Sequence, residues 1–118
     1  MGRRVVAVLL LCLTLTAGCE DTRSPVDQAA NWWPPSQRAA ARCVIAGESG
    51  GNPNVVGSEG ERGVLQIHPV HRRAFERLTG KSFDHVVNPV LSGQFAYTVL
   101  FAERGWQPWR NTAGPCGL

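Results

Sequence analysis

Residues Ala39 to Ala46 form an apolar, alanine-rich run that leads directly to Glu48, and Gly47, Gly50 and Gly51 flank the acid. That pattern predicts a helix ending at the glutamate, with a glycine-rich turn taking the chain away. A carboxylate in this place meets the negative end of the helix macrodipole, and Val44 and Ile45 withdraw water from it. Both effects raise its pKa. An acid still protonated near neutral pH can donate to a leaving oxygen, so a position that costs stability becomes useful for general acid catalysis.

The residues around the acid carry a second pattern. Glu48-Ser49, Asn52-Pro53, Val55-Val56, Gly60 and Gly63-Val64-Leu65-Gln66 follow one another at fixed spacing. In type and spacing, without a gap, they resemble the catalytic region of the soluble lytic transglycosylase and goose-type lysozyme superfamily. The resemblance extends at lower similarity from about Ser36 to Trp109. It implies a single lysozyme-like domain of mostly helical α+β class, with a small β-hairpin against the catalytic helix. It also implies that Glu48 is the catalytic acid, that Ser49 hydrogen-bonds Glu48 or the substrate, and that Gln66 lines the cleft. The family places a tyrosine motif after its last core helix, where this chain has Trp106 and Trp109. Tyr97 falls earlier, inside that helix. Indoles stack on sugar rings and also fill small cores. Tyr97, Trp106 and Trp109 are therefore the remaining substrate-binding candidates.

The N-terminus reads as an export signal over residues 1–18. Arg3-Arg4 is a basic n-region, Val5 to Leu15 is an apolar stretch too short to span a bilayer comfortably, and Thr16-Ala17-Gly18 is a small-residue cleavage site. Cys19 follows Ala-Gly as in a bacterial lipobox, which predicts acylation there and a membrane-anchored lipoprotein of the cell envelope. Ordinary secretion is the plainer alternative. Residues 19–35 are polar, then proline-rich, and read as a tether that closes with Trp32-Trp33 docked on the domain; residues 36–118 are left for the domain itself.

Cysteine arithmetic agrees with export. Once Cys12 has left with the signal and Cys19 has taken a lipid, Cys43 and Cys116 remain as an even pair. A disulfide between them would tie the C-terminal tail to the helix carrying Glu48. Closing so long a loop contributes about 4 kcal/mol in the chain-entropy description. His68, His71 and His85 show no metal-ligand spacing, so no metal and no cofactor is expected. His68 and His71 read as a solvated helix face.

Without Arg3 and Arg4 the charges nearly balance, and no basic run with interleaved aromatics appears, which argues against nucleic acid. The chain past the signal is long enough for one small domain, expected as a monomer. Ser36 is the predicted N-cap of the first helix. A short irregular hairpin or paired extended loops are expected across Val55-Val56 and Val64 to Ile67. A second helix begins near Pro69, with Val70, Ala74, Phe75 and Leu78 inward, and ends at Gly80; a third runs from Asn88-Pro89 to Gly105.

The number of carboxylates separates two chemistries. Hydrolysis commonly uses two carboxyls about 5 to 9.5 Å apart. A lytic transglycosylase uses one, which protonates the oxygen between N-acetylmuramic acid and N-acetylglucosamine and then deprotonates the muramyl C6 hydroxyl. Glu59 and Glu61 are the acids able to serve as a second carboxylate. The resemblance therefore implies a lyase acting on peptidoglycan with Glu48 alone. A hydrolytic muramidase using Glu48 with Glu59 or Glu61 is one alternative, and a non-catalytic wall-binding lipoprotein is the other.

Overall fold

A computed structural model describes residues 21–118. The expected signal and the acylation candidate Cys19 lie outside the described residues. The chain begins with α1 (Pro25–Ala30), started by Ser24, whose Oγ accepts from the Asp27 amide at 3.1 Å. Ala29, Ala30 and Trp33 are fully buried. The segment expected as tether thus forms part of the packed body, because its small alanines let α1 approach the rest closely and Trp33 fills the space beyond them. The arginine of the pair Arg42–Asp27, at 2.8 Å on the surface, adds a tie from the next helix.

A 3₁₀ turn (Pro35–Gln37) leads into α2 (Arg38–Ser49). Ser36 lies within that turn and caps nothing. Ala41, Val44 and Ile45 share the buried face at helical spacing, and Gly50 ends the helix in the left-handed region at φ 63°. A second 3₁₀ turn (Pro69–His71) opens α3 (Arg72–Thr79), in which Phe75 is the buried anchor. Val70 is 74% exposed and Leu78 is also exposed, so the apolar face of this helix is narrower than its sequence suggests.

After a 3₁₀ turn at Phe83–Val87 comes α4 (Pro89–Phe95), capped by the Asn88 side chain, which accepts from the amides of Val90 and Leu91. The helix continues through a wider π-type segment (Ala96–Phe101) into α5 (Ala102–Arg104). Gly93 is where α1 crosses: a Cβ there would lie 2.5 Å from the Ala29 carbonyl oxygen. Two aromatic groups fill the interior. Phe75 meets Phe83 and Phe95 edge-on, each at 5.7 Å, and Trp33 is enclosed by Tyr97, Phe101 and Trp106. The tail forms a 3₁₀ turn (Gln107–Trp109), α6 (Arg110–Ala113) and a last turn at Gly114–Cys116.

The fold is mostly helical, as expected, but the hairpin is absent as such. Among the described residues the stretch from Val55 to Ile67 forms isolated antiparallel bridges, Val56 to Arg62 and Arg62 to Ile67. Turns take the place of strands: Gly60 and Gly63 have positive φ, and the Gly63 amide donates back to the Val55 carbonyl at 3.2 Å. With three glycines in seven residues, Gly57 to Gly63, the backbone closes tight loops rather than a continuous ladder.

Candidate active site

Glu48 occupies the last turn of α2, half-buried, with its carboxyl on a cleft of about 380 Å³ lined by Glu59, Glu61, Gln66, His68, Trp109 and the start of α6. Its pKa is raised. Burial is the main cause; the neighbouring charge of Glu61 adds to it, and a hydrogen bond from Thr112 works against both. Thr112 Oγ1 donates to Glu48 Oε2 at 2.9 Å. The expected acid is therefore where an elevated pKa can be used, and its partner comes from the C-terminal tail.

Ser49 does something other than hold Glu48. Its hydroxyl lies 2.9 Å from the Val64 carbonyl and 3.1 Å from that of Ile45, while accepting from the Gly51 amide at 3.1 Å. It fastens the end of α2 to the turn of the loop that carries Val64. Being one residue past Glu48, it points about 100° away around the helix, which takes it from the carboxyl.

Gln66 sits on the cleft, and its amide nitrogen is fully used within the loop, donating to the Val55 carbonyl at 3.0 Å and the Gly63 carbonyl at 2.9 Å. It is the residue with φ 49° that is not a glycine, a left-handed conformation that those two bonds hold in place. Its Oε1 remains free to accept. A Cβ added at Gly57 would come within 2.8 Å of that oxygen and would overlap Glu61 Oε2, so the two acceptors converge over bare backbone. The donors of Gln66 are thus spent on the fold, and its acceptor is left on the cleft side.

Both loop acids reach the cleft. Glu61 is half-buried, and its Oε1 accepts from the Glu59 amide at 2.7 Å. Glu59 is far more open, its side chain 78% exposed and 4.0 Å from His68 Nε2. His68 Nδ1 accepts from the Val70 amide at 3.0 Å. His68 is thus a cleft residue rather than part of a solvated helix face, and His71 lies apart from it against Phe95, where burial lowers its pKa. No group of three or more His, Cys, Asp or Glu residues suited to a metal ion is found among the described residues.

The aromatic candidates divide. Trp109 lines the cleft, 3% exposed, and its Nε1 donates to the Leu65 carbonyl at 2.9 Å. Trp106 stacks on Trp33 at 5.6 Å with 9° between the ring planes, and Tyr97 packs edge-on against Trp33 at 5.3 Å. Tyr97 and Trp106 belong to the aromatic interior and are not among the residues lining the cleft. Their registers, at the π-type segment and before the 3₁₀ turn, aim them inward.

Cys43 and Cys116 are bridged, with their Cα atoms 6.0 Å apart, and this brings α6 against α2. Arg110, Asn111 and Thr112 consequently enter the site region, and sequence reasoning assigned none of them. The signal that was available was the cysteine pair: Thr112 stands one helical turn before Cys116, and Glu48 a little more than a turn after Cys43.

Comparison with known proteins gives a consistent result. The family described as transglycosylase SLT domain matches residues 27–104. Two curated relatives named endo-type membrane-bound lytic murein transglycosylase A are each 34% identical over 80 residues, covering 52% of this chain and 39% of the relative; they come from Klebsiella pneumoniae strain 342 and from Klebsiella pneumoniae subsp. pneumoniae strain MGH 78578. The chain thus spans about two-fifths of the length of the curated relatives it matches. No solved structure matches. The match beginning at residue 27 takes in α1, in keeping with its burial, and the chain belongs to the transglycosylase SLT-domain family.

Proposed function

We propose that this domain is a peptidoglycan lytic transglycosylase that cleaves the β-1,4 bond between N-acetylmuramic acid and N-acetylglucosamine. The observation that carries this reading is the half-buried Glu48 carboxyl, facing a cleft and held above the usual carboxylate range by loss of water. Protonated, it gives its proton to the glycosidic oxygen, and the bond to the muramyl C1 breaks. The resulting carboxylate takes the proton of the muramyl C6 hydroxyl as that oxygen bonds to C1. The product ends in a 1,6-anhydro ring, no water is consumed, and the acid is restored. The Glu61 charge favours the protonated form for the first half, and the Thr112 hydroxyl favours the carboxylate for the second.

The second reading is hydrolysis, favoured by the position of Glu61 in the same cleft, half-buried beside Gln66. As a carboxylate it can deprotonate a water that attacks C1. Glu59 is a weaker candidate, being open to solvent. Mass analysis of fragments released from purified peptidoglycan distinguishes the two: anhydro ends one water lighter support the transglycosylase, and reducing ends that require Glu61 overturn it.

The protein is further proposed to act as a monomer in the cell envelope, anchored by acylation at Cys19. The lipobox-like Ala17-Gly18-Cys19 supports this, as does the description of the relatives as membrane-bound. No helix among the described residues is long and apolar enough to cross a membrane. A Cys19→Ala variant that still partitions with membranes would refute the lipid anchor.

A further inference from the structure

Thr112 stands beyond the stretch matched by the family, which ends at residue 104. Its place is set from two sides. The Cys43–Cys116 bridge clamps α6 to α2 across a sequence separation of 73. At the contact itself Gly47 presents bare backbone: a Cβ there would overlap the Thr112 methyl carbon Cγ2. Threonine is stiff about χ1, because two heavy atoms branch from its Cβ. Seating the methyl on Gly47 therefore fixes the direction of the hydroxyl, which points to Glu48 Oε2 at 2.9 Å. Among the described residues no other side chain donates to Glu48.

We infer that Thr112 is the positioning residue of Glu48, its methyl locked on Gly47 and its hydroxyl holding Oε2 so that Oε1 is the oxygen that carries the proton to and from the glycan. This rests on the glycan-cleaving reading above. A hydroxyl that donates to Oε2 leaves the acid proton on the other oxygen, since a protonated Oε2 would present a hydrogen to a donor. After proton transfer the same bond stabilises the carboxylate that must next act as base. The arrangement supplies the partner of Glu48 from a disulfide-clamped tail. Gly47, one residue before the acid and inside α2, leaves the space that the Thr112 methyl fills.

Two substitutions separate hydroxyl from methyl. Thr112→Val keeps the shape on Gly47 and removes the donor, whereas Thr112→Ser keeps the donor and removes the methyl. In the oxidised protein acting on peptidoglycan, Thr112→Val is expected to lower kcat about tenfold and to leave KM within about twofold. The Glu48 carboxyl, followed by carbon NMR, should titrate at higher pH in this variant, since the lost bond favoured the ionised form; the alkaline limb of the kcat profile should move up with it. Glu59, Glu61, His68 and Arg110 share the cleft and remain unchanged, so the difference belongs to Thr112. Thr112→Ser should recover most of kcat and the wild-type titration. Should Thr112→Val not fold, Thr112→Ala removes hydroxyl and methyl together, and its difference from Thr112→Ser isolates the hydroxyl. A valine variant matching wild type in both kcat and titration overturns the inference, as does a serine variant as impaired as valine with the titration unmoved, which would make Thr112 a packing residue. If wild-type protein releases no fragments, the glycan-cleaving reading fails on its own; the Glu48 titration in Thr112→Val then still decides whether the hydroxyl holds the carboxyl.

Discussion

The cleft has two walls of different construction. One, from Glu48 to His68, is continuous in sequence and carries the family pattern; the other, from Pro108 to Asn111 with Thr112 following, lies beyond the family match and reaches the first by way of a buried indole and a disulfide. The first wall is held by local means. Ser49 grips the Val64 carbonyl and Gln66 those of Val55 and Gly63, so the loop keeps its form through bonds made within about fifteen residues. The second wall has no such internal framework. Its 3₁₀ turn and short α6 are too brief to persist alone, and it stands only because Trp109 and Cys116 attach it elsewhere. The proposed acid thus lies on a self-sufficient wall, and its hydrogen-bond partner on a dependent one.

The sharpest test of that division is Glu48→Gln, expected to lower kcat by about 10² to 10⁴-fold, measured as fragment release from peptidoglycan. Its effect on stability should have the opposite sign. Because burial raises the Glu48 pKa in the fold, the stability tied to its protonated form is present below the unfolded-state value and lost as pH rises through the folded one. The uncharged amide escapes that loss. Thermal melting of Glu48→Gln should accordingly exceed that of wild type near neutral pH and lose this advantage in acid.

Next in size is the dependent wall. Replacing Cys43 and Cys116 together by serine should cost about 4 kcal/mol in denaturant unfolding, with activity falling as α6 separates from α2. Unchanged activity in a folded double variant would show that the second wall stands without its clamp. Trp109→Phe is expected to cost about 1 to 3 kcal/mol, since the buried Leu65 carbonyl loses its donor. The smallest effect should come from Glu61→Gln. Removing that charge lowers the Glu48 pKa and moves the alkaline limb of the kcat profile to lower pH, with products unchanged. Loss of most activity would instead make Glu61 a partner in hydrolysis.

What could be read in the sequence follows the same line between the walls. Glu48, Gln66 and the loop acids lie on a contiguous motif whose helix end and glycines dictate their own geometry. The cysteine pair likewise foretold the clamp. The hairpin is reduced to isolated bridges because the apolar residues Val55-Val56 and Val64 to Ile67 say nothing of the glycine turns that break the ladder between them. Tyr97 and Trp106 stood as substrate-binding candidates, with core filling the other reading for the indole, because aromatic type does not reveal helix register; both pack against Trp33. Trp33 in turn shows why residues 25–33 looked like a tether: a short helix with two alanines carries little periodicity, and its value lies in the close crossing at Gly93. Thr112 was invisible, since an isolated threonine in a tail acquires meaning only from what lies opposite.

The Glu48–Thr112 contact joins residues separated by 64 positions, and Trp109 meets Leu65 across 44. Contacts of such range form only after the intervening chain has been ordered, because its closure entropy is otherwise uncompensated. Assembly therefore has a sequence in time: helices and the local loop come first, and the acid gains its partner last. During refolding, helical signal should return before cleaving activity, and the interval should lengthen when the disulfide must form anew. A molecule caught between these stages has its secondary structure and its glutamate, yet lacks the contact between Glu48 and Thr112. Simultaneous recovery of both signals would show that the two walls condense in one step.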